Sequence, residues 1–501
     1  MTGDTYFLTH FKIEIKENKE DESEDDDDWS DDDDEQEDAD HRTLIQQTGG
    51  KSLWIKEVLH RTKGLPLWIR GSRITTGEAA KLVLEIVYGE WDRIEQVIIN
   101  FLDGANFTSS DVERWSNVLS HPAPRMYNYG IRFYGRRDYA FTHPFLSGSN
   151  APSLTRLSVV DYSIDTGACW VSKLRELRLG THDTLPTILQ ALCLMPLLEE
   201  LSVDSLQRHE GIGPDSMYSH IRLKNLKSLQ ITMAIRTSSK MLECITPAAG
   251  CSISVTARSM RPIPIEEEVM HPFSNCAKGL IRDYSLKHLK ISISGELVFR
   301  AWTPGTEAPS FNFYLGAFYP GGKHNHTTVE GFGKAFIFEE LSCITEFELE
   351  FGQHGGAGAT LTRNFTPFFD HIIAICIGQS SLLNLFNAYC ANPNDETPAL
   401  FPNLETFQIL NFNTVPVRGK AVTASRFKGI ITVLQFLRDA GRPIRVLDLT
   451  LCLAPVKPSF QFSEVEELSG LKIIWRQSVG STVSEYVCGS GRPEDIPLWS
   501  D

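Results

Sequence analysis

The sequence predicts an α/β fold: an irregular leucine-rich-repeat solenoid, with parallel strands on its concave face and helices on its convex face, preceded by a disordered acidic segment. Three observations predict it. An apolar frame recurs along the chain, helical patterns alternate with that frame, and the acidic charge is concentrated in one short run.

The frame is apolar, two variable residues, apolar, one variable residue, apolar. It recurs in "APSLTRLSVVD" (151–161), "VSKLRELRLG" (171–180), "PLLEELSVD" (196–204), "LKNLKSLQIT" (223–232), "YSLKHLKISI" (284–293), "PNLETFQILNF" (402–412) and "RPIRVLDLT" (442–450). Looser copies are Ile94/Val97/Ile99, Met126/Tyr129/Ile131, Ile344/Phe347/Leu349 and Leu468/Leu471/Ile473. Many first anchors are spaced close to the period of leucine-rich repeats, about 20–29 residues. Three wider gaps imply a degraded copy in each, with "CSISV" (251–255), "FNFYLG" (311–316) and "SLLNLFN" (381–387) as candidates. In a strand the last two apolar positions of the frame point to the same side, into a core. Each copy then buries about three side chains, at roughly 1.5–3 kcal/mol apiece. Burial requires a neighbouring copy, so a single repeat does not fold alone.

The intervening segments are helical in pattern. "TSSDVERWSNVLSHP" predicts a capping box of Ser110 with Glu113, then Val112, Trp115, Val118 and Leu119 on one stripe. "DTLPTILQALCLMP" offers Thr184 as N-cap and Pro186 in the first turn. "SRFKGIITVLQFLRDAGRP" predicts a helix from Ser425 to Gly441, with Pro443 beyond. Departing from the usual repeat, the position where an Asn bonds the turn backbone holds His182 in one copy and Leu206 in another.

Charge sets the domain boundaries. The chain carries 64 acids and 48 bases, for a net charge of −16. Residues 20–40 hold 16 of those acids and no Lys or Arg, so the remainder is formally balanced. Such a run cannot bury enough apolar surface to offset chain entropy. The expected organisation is a disordered region over 1–50, a solenoid over 51–480 and a C-terminal tail over 481–501. No basic face for phosphates is evident, which argues against a nucleic-acid partner. The 10 cysteines form no CxxC pair or Cys/His cluster. With no apolar leader and no run of about 18 apolar residues, the sequence predicts a cytoplasmic or nuclear protein with reduced thiols and no membrane partner. The sequons at Asn106, Asn325 and Asn364 are then incidental.

A family resemblance rests on ordered short motifs. "SLWIKEVLHRTKGLPLWIRG" (52–71), with Leu53-Trp54, Arg61-Thr62 and Pro66-Leu67, resembles the opening of the repeat array in the F-box/leucine-rich-repeat-like family of mushroom-forming fungi. "FPNLETFQI", "LRDAGRPIRVLDL" and the close "LSGLKIIW" at Trp475 are similar to that family too, so the resemblance covers roughly 51–476. It implies a substrate-recruiting solenoid. Members usually begin with an F-box, a Leu-Pro-x-Glu-led segment that docks the adaptor of a cullin–RING ubiquitin ligase. None is seen in residues 1–50, where the acidic run stands, so adaptor docking is not encoded in this stretch.

Chemistry-bearing patterns are sparse, and the expectation is a non-enzyme with no catalytic residue, metal or cofactor. The glycine-rich Gly356-Ala357-Gly358-Ala359-Thr360-Leu361 lacks a third glycine and a following Lys-Ser/Thr, so it predicts a loop between repeats. His324 and His326 lack further ligands and predict a surface loop. No nucleophile–base pattern stands above background. Cys343 and Cys376 are expected as small buried apolar residues.

The candidate partner-binding residues are the variable positions flanking the last two anchors: Arg178, Glu200, Asp204, Gln230, Lys290, Glu346, Glu348, Glu350 and Asp448. The Glu346/Glu348/Glu350 row would suit a basic partner patch. Ser23 and Ser30, each with an acid three residues on, are candidate phosphorylation sites. Two functions are expected from this pattern. One is protein recognition by the solenoid, related to ubiquitin-ligase substrate receptors. The other is an acidic-tail protein that shields basic clients such as histones.

Overall fold

A computed structural model describes residues 11–16, 42–47, 52–62, 64–102, 108–133, 151–159, 164–180, 184–204, 220–258, 265–293, 296–305, 309–316, 323–351, 365–378, 381–382, 385–386, 401–410, 422–452, 465–476 and 481–491. Two compact units emerge: Met1–Leu229 with Cys244–Ala249, and Gln230–Glu243 with Gly250–Asp501. Each is an α/β assembly built on a mostly parallel sheet.

In the first unit the chain forms β1 (Phe11–Lys16), β2 (Arg42–Gln47), α1 (Ser52–Arg61), β3 (Leu67–Ile74), α2 (Gly77–Glu90), β4 (Ile94–Phe101) and α3 (Ser109–Leu119). Then come β5 (Asn128–Phe133), β6 (Arg156–Val159), β7 (Glu176–Leu179), α4 (Leu185–Leu192), β8 (Glu200–Asp204) and β9 (Ile221–Leu223). β10 (Ser228–Ala234) and α5 (Ile235–Cys244) carry the chain across the boundary between the units, and β11 (Ile245–Pro247) pairs with β9. The eight strands β2–β1–β3–β4–β5–β6–β7–β8 are all parallel in that spatial order.

Their register explains the apolar frame. Ile69, Val97, Tyr129, Leu157, Leu177 and Leu201 stand opposite one another across six strands, and all are buried. Two residues on, Ile99, Ile131, Val159, Leu179 and Val203 form a second buried row. The first anchor of each copy closes a tight turn. Leu154 N–H donates to the carbonyl of Ala151, Leu174 to Val171, Leu198 to Met195 and Leu226 to Leu223. Each carbonyl acceptor belongs to a buried residue, so the frame has a fourth core position three residues upstream.

A further backbone device ties successive copies together. The carbonyl of Thr155 accepts the N–H groups of both Arg175 and Glu176, Arg175 those of Glu199 and Glu200, and Glu199 those of Lys227 and Ser228. Two consecutive donors converging on one carbonyl fix the register at the start of each strand and leave neither donor unpaired.

The second unit contains β12 (Ser252–Arg258), α6 (Glu267–Tyr284), β13 (His288–Ile293), β14 (Leu297–Trp302), β15 (Phe311–Gly316), α7 (Lys323–Ala335) and β16 (Glu346–Phe351). These are followed by β17 (Ala374–Gly378), β18 (Thr406–Leu410), α8 (Val422–Asp439), β19 (Val446–Asp448), β20 (Lys472–Arg476) and β21 (Val483–Val487). Spatial order is β12–β15–β14–β13–β16–β17–β18–β19–β20–β21. β14 is antiparallel to both neighbours and β21 is antiparallel to β20; the other pairs are parallel. Leu289, Phe347, Ile375, Phe407, Leu447 and Ile473 make the buried row. The convergent carbonyls recur at Lys287, Thr345, Ile373 and Glu405. Beneath β14 and β15, Phe299, Phe311, Phe313, Phe332 and Phe336 cluster, with Phe299 and Phe336 centroids 4.6 Å apart.

Several expectations are corrected. Between residues 344 and 404 the strand is β17, "AICIG", while Ser381, Leu382, Leu385 and Phe386 of "SLLNLFN", the expected segment, are helical. The other two candidates are strands, in β12 and β15. Ile473 rather than Leu471 stands opposite Leu447, and Leu471 N–H closes a turn onto the Leu468 carbonyl through Gly470 (φ 88°). The capping box of α3 is Thr108 with Asp111, not Ser110 with Glu113. Thr184 is the N-cap of α4, but its hydroxyl meets Thr187 Oγ1 (2.9 Å) rather than a backbone N–H. α8 begins at Val422, before Ser425. His324 and His326 fall in the first turn of α7, not in a loop. Strands β1, β2 and β21 lie outside the 51–480 boundaries, and Ile13 of β1 is buried. The acidic run 20–40, Ser23, Ser30, Asn106, Asn364, His182, Leu206 and Gly356–Leu361 lie outside the described residues, whereas Asn325 falls in the first turn of α7.

Candidate partner-binding faces

Because strand side chains alternate, burying the anchors turns the intervening residues to the other side of each sheet. In the second unit the central outward row runs Asn312, Arg300, Lys290, Glu348, Cys376, Gln408 and Asp448, in register across seven strands. The row on one side includes Trp302, His288, Glu346, Ala374 and Thr406. On the other side Ser292 stands opposite Glu350.

The glutamate row is therefore not a bare acidic strip. His288 Nε2 lies 3.1 Å from Glu346 Oε2, and Lys290 Nζ lies 2.6 Å from Glu348 Oε1 and 3.9 Å from Glu350 Oε2. Burial lowers the His288 pKa below the ordinary imidazole value, against the opposing pull of Glu346 and Glu348. Trp302 packs on His288 (centroids 5.4 Å) and receives the Arg300 guanidinium at 4.8 Å. Farther along, Gln408 Nε2 donates to Asp448 Oδ2 (2.8 Å), while Thr450 N–H and Oγ1 donate to Asp448 Oδ1. These contacts hold the polar side chains in place.

Cys376 belongs to this outward row and is half-buried, as is Cys343, so neither is the fully buried residue expected. Burial, reinforced by Glu348 and Asp448, pushes the Cys376 thiol up to about 12, which leaves it protonated and poorly nucleophilic.

In the first unit one outward row is Trp68, Gln96, Asn128, Arg156, Glu176 and Glu200. The next is Arg70, Ile98, Gly130, Ser158, Arg178 and Ser202. Arg156 pairs with Glu176 at 2.9 Å, and Arg132 Nε approaches Ser158 Oγ at 3.4 Å. At the strand entrances a ladder joins three copies: Arg175 Nη1 to Glu199 Oε1 (3.0 Å) and Lys227 Nζ to Glu199 Oε2 (2.6 Å). The Lys227 hydrogen bond, aided by Arg175, holds the Glu199 carboxyl below its ordinary pKa.

The residues predicted from sequence divide between the units. Arg178, Glu200 and Asp204 are on β7 and β8 of the first. Lys290, Glu346, Glu348, Glu350 and Asp448 come together on the second, with Gln230 exposed on β10. Sequence inspection missed Arg300, Trp302 and Cys376 because β14 is antiparallel and β17 is only five residues long, outside the leucine frame. The alternation in "LVFRAW" is the signal that marks β14. Among the described residues no group of three or more His, Cys, Asp or Glu side chains is arranged to hold a metal, and no helix is long and apolar enough to cross a membrane. In comparison with known proteins, the chain matches no family model, and no curated protein matches it.

Proposed function

We propose that this chain recognises other proteins through the outward faces of its parallel sheets, as a leucine-rich-repeat-like solenoid does, in a role related to substrate recruitment by F-box receptors. The observation that carries it is the central row of the second unit, where seven strands hold polar and charged side chains in register above a continuous buried row. Rigid strands at about 4.8 Å spacing preorganise such side chains, so partner binding orders few of them anew. The link to ligase receptors comes from the resemblance of residues 52–71 and 402–476 alone.

Affinity capture with the full chain tests this. Glu348→Lys combined with Asp448→Lys should lose the captured partners, while Lys278→Glu on α6 should keep them. Equal capture by the face variant overturns the proposal. Replacing residues 20–40 with an uncharged linker of equal length separates recognition from acidic shielding. This exchange leaves β1 and β2 in place, whereas deleting residues 1–45 would remove buried Ile13 and a strand paired on both sides. Capture should survive the exchange; its collapse would favour shielding of basic clients. Binding of purified ligase adaptor to the full chain would extend the role to a ligase, and no binding would restrict it to recognition.

A further inference from the structure

The outward face of the first unit carries a feature that the glutamate row of the second does not. Along one register line, Arg70 on β3 and Arg178 on β7 bracket Ile98, Gly130 and Ser158. The two arginines are four strand intervals apart, about 19 Å at normal strand spacing. Between them the surface is low. Gly130 has no side chain, and a Cβ there would come within 3.2 Å of the Ser158 Cβ. Arg132 stands beside this low floor, with Nε and Nη2 both 3.4 Å from Ser158 Oγ.

Among the described residues no ion pair meets the charge at either end of this strip. Arg156, at its margin, is already paired with Glu176. No ion pair joins Arg70 or Arg178 to a described residue, and Arg178 is exposed. The Arg70 Nε–H is buried and has no hydrogen-bond acceptor among the described residues. An unsatisfied buried donor is costly, so the Arg70 guanidinium is not fully satisfied by its own surroundings. Guanidinium groups bind carboxylates through paired N–H donors, which gives direction as well as charge.

We propose that this strip docks an acidic, extended segment of a protein partner, with its backbone lying over Gly130 and Ser158 and its carboxylates reaching Arg70 and Arg178. About six residues of extended chain span the distance. On β8, Ser202 continues the line beyond Arg178, and Glu200 stands on the neighbouring row opposite Glu176, which limits the strip on that side. The inference rests on the proposal that outward faces are where partners bind, and it assigns the first unit a partner chemistry opposite to the one expected at Glu346, Glu348 and Glu350.

The test is fluorescence anisotropy with a labelled ten-residue Glu/Asp peptide. It is run on the full chain and on a full-length chain whose residues 20–40 are replaced by an uncharged linker. The acidic peptide should bind and a Lys-rich peptide should not. Arg178→Glu should weaken binding about tenfold, and Arg70→Gln should weaken it measurably. Arg125→Glu, an exposed residue away from the strip with the same charge change, should leave binding within twofold. Thermal melts matching the parent would show that the Arg178 variant is folded.

Absence of binding in both hosts, or equal losses from Arg178→Glu and Arg125→Glu, overturns the inference. So does displacement of the peptide by low-millimolar inorganic phosphate with tighter binding of a phosphopeptide, which would assign the strip to phosphoryl groups. Failure here, with partner loss still produced by Glu348→Lys and Asp448→Lys, would leave the second unit's recognition role standing.

Discussion

Arg93 shows how much one residue can organise. It is buried between α2 and β4, pairs with Glu90 at 2.7 Å, and donates to the carbonyls of Leu59, Thr62 and Leu65 at 3.2, 2.6 and 3.0 Å. Those carbonyls end α1 and lead into β3, so one guanidinium closes the connection between the two elements. Arg93→Met removes a charge partner and strands three acceptors, and should cost about 3 kcal/mol or more in a urea titration. A loss below about 1 kcal/mol would mean that water replaces the arginine. Glu466 does comparable work at the other end. It accepts from Tyr486 Oη (2.6 Å), Gly489 N–H (2.9 Å) and Gly491 N–H (3.0 Å). The Tyr486 bond first, then the glycine amides, hold its carboxyl below the usual value of 4.5. A lowered folded-state pKa adds stability that is complete above the unfolded value and is lost as pH falls through the folded one. The melting difference between the parent and Glu466→Gln should therefore be largest near pH 7 and shrink below about pH 4. A constant difference would assign the effect to shape rather than charge. Neither role was legible in the sequence, because most of the contacts run to backbone groups at the ends of elements, which no side-chain spacing marks.

At the level of elements, periodicity revealed what burial controls. Every anchor named from the leucine frame is buried, because apolar side chains at strand spacing have one place to go. The fourth core position escaped notice because it is filled by Ala151, Val171, Met195 or Leu223, with no common residue type to mark it. Caps were less legible, since Thr108, Ser109 and Ser110 all offer hydroxyls and only the fold selects among them. Thr108→Ala should cost about 1–2 kcal/mol, whereas Ser110→Ala and Glu113→Ala should each stay within about 0.5 kcal/mol. Chemical denaturation of the three variants distinguishes the observed capping box from the expected one. The outward faces were partly legible: the frame marked Glu346, Glu348 and Glu350, but not the His288 contact to Glu346 or the Lys290 ion pairs to Glu348 and Glu350. Those contacts depend on which strands become neighbours across 58 residues of chain.

For the molecule as a whole, both units use the same division of labour. Alternate strand residues build a continuous apolar row, and the residues between them form a surface that the core does not constrain. That division is why sequence patterning was enough for the α/β architecture, while the chemistry of the faces required the register. It also sets a direct measurement: thermal melts of Leu201→Asp against Ser202→Asp in the first unit, and Ile375→Asp against Cys376→Ser in the second. Leu201 and Ile375 are fully buried, and a carboxylate there has no partner. Each of those two variants should melt at least about 8 °C lower than the parent, and the neighbouring outward substitutions should melt within about 2 °C of it. Equal melting of Leu201→Asp and Ser202→Asp, or a larger loss from the outward member of either pair, would contradict the account.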